Sequence, residues 1–164
     1  PFPFHFFMSE HLHIAEGGKE QKYELLYRQA EAMLSGEEDV IANMANLAAM
    51  IHQTFGFWWT GFYRVVGEEL VLGPFQGPIA CMRIAYGRGV CGTAWQRGEI
   101  VVVPDVEQFP GHIACSSLSR SEIVVPIYNG DRVVAVLDID SEHLATFDDI
   151  DREWLERIVQ LLNW

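Results

Sequence analysis

The chain is short of positive charge. Its 164 residues hold 11 Lys+Arg against 23 Asp+Glu, a formal net charge of −12. Nucleic acid and anionic membrane both reward a basic surface, so neither is expected as a partner. No run of about 18 apolar residues occurs, so no transmembrane helix is expected. Cysteine is scarce and odd in number, three in all, with no Cys-x-x-Cys pair. That argues against a structural disulfide framework and against a structural zinc module. The apolar opening Pro1-Phe2-Pro3-Phe4-His5-Phe6-Phe7 lacks the basic start and the length of a signal peptide. These absences point to a cytoplasmic protein. What remains is globular in character, with 49% hydrophobic and 21% charged residues, at a length that suits one domain with a full core. Residues 1–19 read as an N-terminal extension, its first seven of foreign origin, and 20–164 as the domain.

Tyr23, Leu26, Tyr27, Ala30 and Met33 recur at helical spacing and predict a helix over 20–34, stopped by Gly36. A second helix is predicted from about Glu37 to Thr54, with Ile41, Met44, Ala48 and Ile51 on one face. The aromatic, β-branched run 57–66 reads as a strand that places Trp59 and Tyr63 on the same sheet face. Short strands follow at 70–72 and 82–85, separated by a Gly- and Pro-rich loop over 73–78. Gly87-Arg88-Gly89-Val90-Cys91-Gly92 fits the GxGxxG pattern but lies mid-chain, without the βαβ setting or the acidic residue that a dinucleotide site needs. It reads instead as a glycine turn opening a helix through Gln96 that ends at Gly98, with first amides able to hold a carboxylate. Residues 100–103 form another strand. The small polar run 116–121 suits a ligand-lined loop. Ile123–Tyr128 and Arg132–Asp140 flank Asn129-Gly130, a strong hairpin signal, and Pro126 calls for an edge position or a bulge. A last helix from about Asp148 to Leu162 turns Ile150, Trp154, Ile158 and Leu161 inward, with Thr146 and Asp149 as its cap. The fold class is therefore α+β: a central antiparallel sheet of about six strands, with the N- and C-terminal helices on one face.

The residues suited to chemistry gather late in the chain. Gly111-His112-Ile113-Ala114-Cys115 is echoed by Gly77-Pro78-Ile79-Ala80-Cys81. A thiol reacts as its thiolate and, with an ordinary pKa of about 8.5, needs a nearby cation or helix start to ionise readily. His112 is placed to be that cation; the alternative is that Cys115 is an inert buried thiol. In Val136-Leu137-Asp138-Ile139-Asp140 the strand period puts both aspartates on one face, about 6–7 Å apart, with Val134 and Val136 continuing that face. The pair is either solvated where the strand emerges or, if buried, in need of donors or a cation. Regular pairing across Asn129-Gly130 sets Ser121 opposite Asp138 and sends Glu122 to the other face; a bulge near Pro126 changes that. Should the carboxylates meet Cys115, mutual repulsion holds one of them protonated near neutral pH. A thiolate beside a neutral acid suits reduction of an S=O bond, through a sulfenic acid that a second cysteine condenses to a disulfide and an external dithiol reduces. A zinc site from Cys81, Cys91, His112 and Cys115 has soft ligands but lacks a close cysteine pair.

Gly61-Phe62-Tyr63, the run 72–77, Ile79-Ala80-Cys81, the run 87–92, the run 111–115, Ser121-Glu122-Ile123-Val124 and the run 136–141 together resemble the GAF-domain free methionine-(R)-sulfoxide reductases. The resemblance spans about Glu37 to Leu162. It implies a single GAF domain in which Cys115 is the nucleophile, Cys81 the resolving thiol that forms a disulfide with it, and Cys91 an auxiliary or alternative partner. It further implies that Glu122, Asp138 and Asp140 bind substrate and activate the sulfoxide oxygen, while Trp59 packs on the substrate methyl group and Tyr63 shares its pocket. The family acts on the free amino acid, draws electrons from thioredoxin, uses no cofactor or metal, and forms homodimers. The competing expectation is a GAF ligand sensor with redox-sensitive cysteines; the 164 residues hold no output domain for one.

Overall fold

A computed structural model describes residues 11–113 and 118–164. The chain opens with α1 (Lys19–Leu34) and α2 (Val40–Phe55). Strands β1 (Trp59–Val66), β2 (Glu69–Gln76) and β3 (Arg83–Ala85) follow, then α3 (Gly89–Arg97) and β4 (Val101–Val103). The hairpin of β5 (Ser121–Asn129) and β6 (Arg132–Ser141) leads into α4 (Asp149–Val159). Six strands form one sheet in the order β3-β2-β1-β6-β5-β4, and every neighbouring pair is antiparallel. The expected α+β architecture is the observed one.

The sheet separates two apolar layers. Ile123, Val125, Ile127, Leu137 and Ile139 meet α1, α2 and α4 on one face; Val124, Val136, Trp59 and Tyr63 meet α3 and its flanking loops on the other. The terminal helices thus share a face, as expected. A polar lock joins α1 to α4 inside the first layer: fully buried Asp151 accepts from the Tyr23 hydroxyl at 2.7 Å and from Lys19 Nζ. Since a buried carboxylate without donors is costly, these two donors fix how the helices meet.

Several boundaries and faces differ from the sequence-based expectation. Helix α2 begins at Val40 rather than near Glu37, because the Asp39 side chain caps it by accepting from the Ala42 amide. Ile41 stays exposed, and Leu47 joins Met44, Ala48 and Ile51 in the core. The cap of α4 is Asp148, reciprocated by Asp151 in a capping box, and not Thr146 with Asp149. Strand β2 runs through the segment expected to be a loop, because β3 pairs only with residues 69–71 and leaves Pro74 on a free edge.

The most consequential difference is the hairpin register. Asn129 pairs with Arg132, so the two-residue loop is Gly130-Asp131, with Gly130 at φ +62. A bulge then lets Val133 oppose Tyr128 and Ala135 oppose Ile127, with Val134 as the extra residue. Together the two shifts set Glu122 opposite Asp140 and Val124 opposite Asp138. Ser121 opposes Ser141 instead of Asp138. Glu122 therefore shares the face of both aspartates, and Val134 leaves that face to pack against the helical layer. Pro126 has the edge setting its ring requires, since β4 reaches only residues 122–124.

Candidate functional site

The site lies on the α3 face, and sheet register builds most of it. Across the strands Trp59 opposes Asp140, Asp140 opposes Glu122, and Glu122 opposes Val103; in the neighbouring row Gly61 opposes Asp138. One row thus sets an aromatic ring beside two acids. Gly61 makes room for it: a Cβ there would stand 2.6 Å from the Trp59 ring and 2.4 Å from Phe75 Cβ. The Trp59 ring stacks on Phe75 at 5.3 Å and on Tyr63 at 5.9 Å between centroids. Trp59 Nε1 donates to the Pro78 carbonyl at 3.0 Å and the Tyr63 hydroxyl to the Cys81 carbonyl at 2.9 Å. These two bonds tie the segment carrying Cys81 to the aromatic wall.

A cavity of about 550 Å³, counting its open mouth, is lined by Trp59, Tyr63, Cys91, Glu122, Asp138 and Asp140, by Ile79 and Ala80, by the start of α3 (Arg88, Gly89 and Val90), and by His112, Ile113 and Ser119. Six of the expected site residues therefore meet in one place. Cys81 packs in the same layer, beside the cavity wall, and is disulfide-bonded. Cys91 is a free thiol, buried at the first turn of α3. Cys115 lies outside the described residues.

Glu122 and Asp138 are only 6% and 7% exposed and Asp140 is half-buried, so of the expected pair Asp138 is shut away from solvent while Asp140 lies nearer the mouth. Burial pushes the Glu122 carboxyl well above its usual range, and the Asp138 and Asp140 charges add to that. Asp140 moves the same way, by burial first and then the Asp138 charge, while the Ser119 hydroxyl that donates to Asp140 Oδ1 works in the opposite direction. Asp138 is raised by burial to about 6, restrained by hydrogen bonds with Glu122 and Cys91. All three carboxyls are therefore shifted toward their protonated forms and share their protons as one set. Asp138 Oδ1 is buried without a hydrogen-bond partner, an acceptor facing the site with a lone pair to offer. The Cys91 thiol is pushed well above its ordinary value by burial and then by the Asp138 and Glu122 charges, and is held as a thiol.

Burial lowers the His112 pKa, and its Nε2 stands 3.8 Å from Glu122 Oε2; its place relative to Cys115 lies outside the described residues. Sequence reasoning named neither Ser119 nor Arg88 as site residues; the small polar run 116–121 is the signal that pointed toward Ser119. For Arg88 and the α3 amides the glycine-rich turn gave that signal.

Residues 35–162 match the GAF domain family model. The chain is 43% identical to the free methionine-R-sulfoxide reductase of Escherichia coli over 146 residues, covering 88% of each chain. It is 57% identical to GAF domain-containing protein A of Dictyostelium discoideum over 157 residues, covering 95% of this chain and 99% of that one. A solved structure of the free methionine-R-sulfoxide reductase of Neisseria meningitidis in complex with its substrate superposes with a TM-score of 0.91 at 51% identity, covering 93% of this chain and 92% of that one. Fold, cavity and these likenesses converge: the chain belongs to the GAF-domain family of free methionine-R-sulfoxide reductases.

Proposed function

We propose that this protein reduces free L-methionine-(R)-sulfoxide to methionine, with Cys115 as nucleophile. The observation that carries the reading is the buried cluster of Glu122, Asp138 and Asp140 against the Trp59–Tyr63 wall. A sulfoxide needs a proton on its oxygen as sulfur is attacked, and Glu122 and Asp140 are carboxyls whose pKa burial raises, which suits them to supply it. The Cys115 thiolate attacks sulfur, the protonated oxygen passes to the cysteine as a sulfenic acid, and methionine leaves as the thioether. Cys81 condenses with the sulfenic acid, releasing water and forming a disulfide, which a dithiol such as thioredoxin reduces. The disulfide-bonded state of Cys81, with Cys91 free, is consistent with Cys81 as the resolving thiol.

The same cavity accounts for a preference for the free amino acid. Unpaired Asp138 Oδ1 asks for a donor, which an α-ammonium supplies with a charge and a peptide amide does not. The start of α3, with Arg88 beside it, lines the cavity and suits an α-carboxylate. Trp59 and Tyr63 would receive the methyl group. We further place the enzyme in the cytoplasm as a homodimer; no helix among the described residues is long and apolar enough to cross a membrane.

A thioredoxin-coupled assay comparing the free R sulfoxide, the free S sulfoxide and a peptide-bound sulfoxide tests the proposal. Turnover of the free R form alone is expected, and equal rates on the peptide would overturn it. Cys115→Ser is expected to abolish turnover. Cys81→Ser is expected to complete one turnover and then stall with thioredoxin.

A further inference from the structure

The cavity also sets the Cys91 thiol, which the proposed reaction leaves unused, beside two of its acids. Cys91 Sγ, a Glu122 oxygen and an Asp138 oxygen all lie within 4.8 Å of one another, and all three residues are buried on the cavity wall. A tetrahedral zinc site sets its donor atoms about 3.5 Å apart, so side-chain adjustments of about 1 Å would close them on an ion. A second observation points the same way: Asp138 Oδ1 is buried with no partner, and its residue is 7% exposed. His112 Nε2 is 3.8 Å from Glu122 Oε2 but outside that group of three, so it would have to swing inward to serve as a fourth donor.

We infer that Cys91, Glu122 and Asp138 form a binding site for Zn²⁺ or a similar borderline-soft dication, with His112 or a water as the fourth ligand. Thiolate, imidazole and carboxylate are the donors zinc takes, and harder Mg²⁺ or Ca²⁺ would be refused by the sulfur. On binding, the ion takes the place of the protons on the Cys91 thiol and the carboxyl groups, which are released to solvent. The ligand set differs from one drawn from all three cysteines: it leaves the Cys81 disulfide intact. Occupancy would fill the acid cluster and shut the cavity, so the site would act as a metal brake on the enzyme.

The disulfide supplies the means of test. With Cys81 oxidised, Cys91 is the free thiol among the described residues, so Zn²⁺ and Co²⁺ are titrated into oxidised protein without added thiol. One ion per chain is expected by calorimetry, and Co²⁺ should produce a thiolate-to-cobalt charge-transfer band. Cys91→Ser should remove the band and weaken Zn²⁺ binding by at least about tenfold. Glu122→Gln should weaken it while keeping the band, with thermal melts confirming that both variants fold. No binding to the wild-type protein, or equal affinity in Cys91→Ser, would overturn the assignment. These readouts do not depend on turnover, so they stand or fall separately from the proposed reaction.

Discussion

The two faces of the β5–β6 hairpin are built from alternate residues of the same strands and do opposite work. Ile123, Val125, Leu137 and Ile139 enter a dry layer under three helices, whereas Glu122, Asp138 and Asp140 enter a cavity. The first face stabilises the fold by apolar burial. The second costs stability, since it holds three carboxyls largely out of water against the Cys91 thiol of α3, and in return it stores protons at a defined place. Because the alternation has period two, every residue of the costly face is flanked by residues of the stabilising one. The hairpin can therefore carry a strained site without a separate scaffold.

Substitutions that act on one face and spare the other would sharpen this contrast. The largest effect is expected from Asp140→Asn, which removes an acid while keeping the shape. Single-turnover sulfoxide reduction should slow by about 10²- to 10⁴-fold, with thiol accessibility and thermal midpoint nearly unchanged. A normal rate would remove the acid role from Asp140. Next comes the opposite face: Leu137→Ala, at a position 0% exposed, should cost about 2–5 kcal/mol in denaturant unfolding. Activity per folded molecule should change little. If instead activity collapsed while stability held, the two faces would not be separable.

The third effect is a pH dependence. The folded-state pKa of Asp138 is about 6 against an ordinary 3.8, so folding favours its protonated form. Its stability contribution is full below about pH 4 and is lost as pH rises through about 6. Asp138→Asn should remove that loss, so the variant should gain on the wild type between pH 4 and pH 7 by on the order of 1–3 kcal/mol. Melting curves across that range check the sign, and a gap that narrows with rising pH would contradict it. The smallest effect belongs to the exposed ion pair of Arg83 with Glu69, 2.8 Å apart. Arg83→Ala should shift stability by no more than about 0.5 kcal/mol, in a control melt, and leave both faces untouched.

Much of this could be read from the sequence because it rests on local signals. Helical spacing located α1, α2 and α4; the Asn129-Gly130 turn located the hairpin; strand alternation put Asp138 and Asp140 together and Trp59 with Tyr63. The position of Glu122 was not legible in that way. It depends on a loop displaced by one residue to Gly130-Asp131 and on the bulge at Val134, and neither has a sequence signature strong enough to outweigh regular pairing. The caps failed for a related reason. Asp148 and Thr146 are both good cap residues, and the choice between them is made by Lys19 and Tyr23, more than a hundred residues away. The approach of His112 to Glu122 was not legible either, because it depends on the register that brings Glu122 to this face. Membership of the family, by contrast, was carried by short motifs that survive such shifts.

The lock between α1 and α4 has a consequence for how the molecule assembles. Tyr23 and Asp151 are 128 positions apart, so α1 cannot meet this buried partner until α4 and everything between them has been made. Contacts of that separation reward the chain only after a large loop-closure entropy has been met. Pairing of β5 with β6 is local and needs no part of α4, whereas the helical layer closes only once α4 is present. A nascent chain stopped before residue 149 would hold Tyr23, Leu26 and Ala30 without α4 to cover them, in a state exposed to chaperones and to proteases.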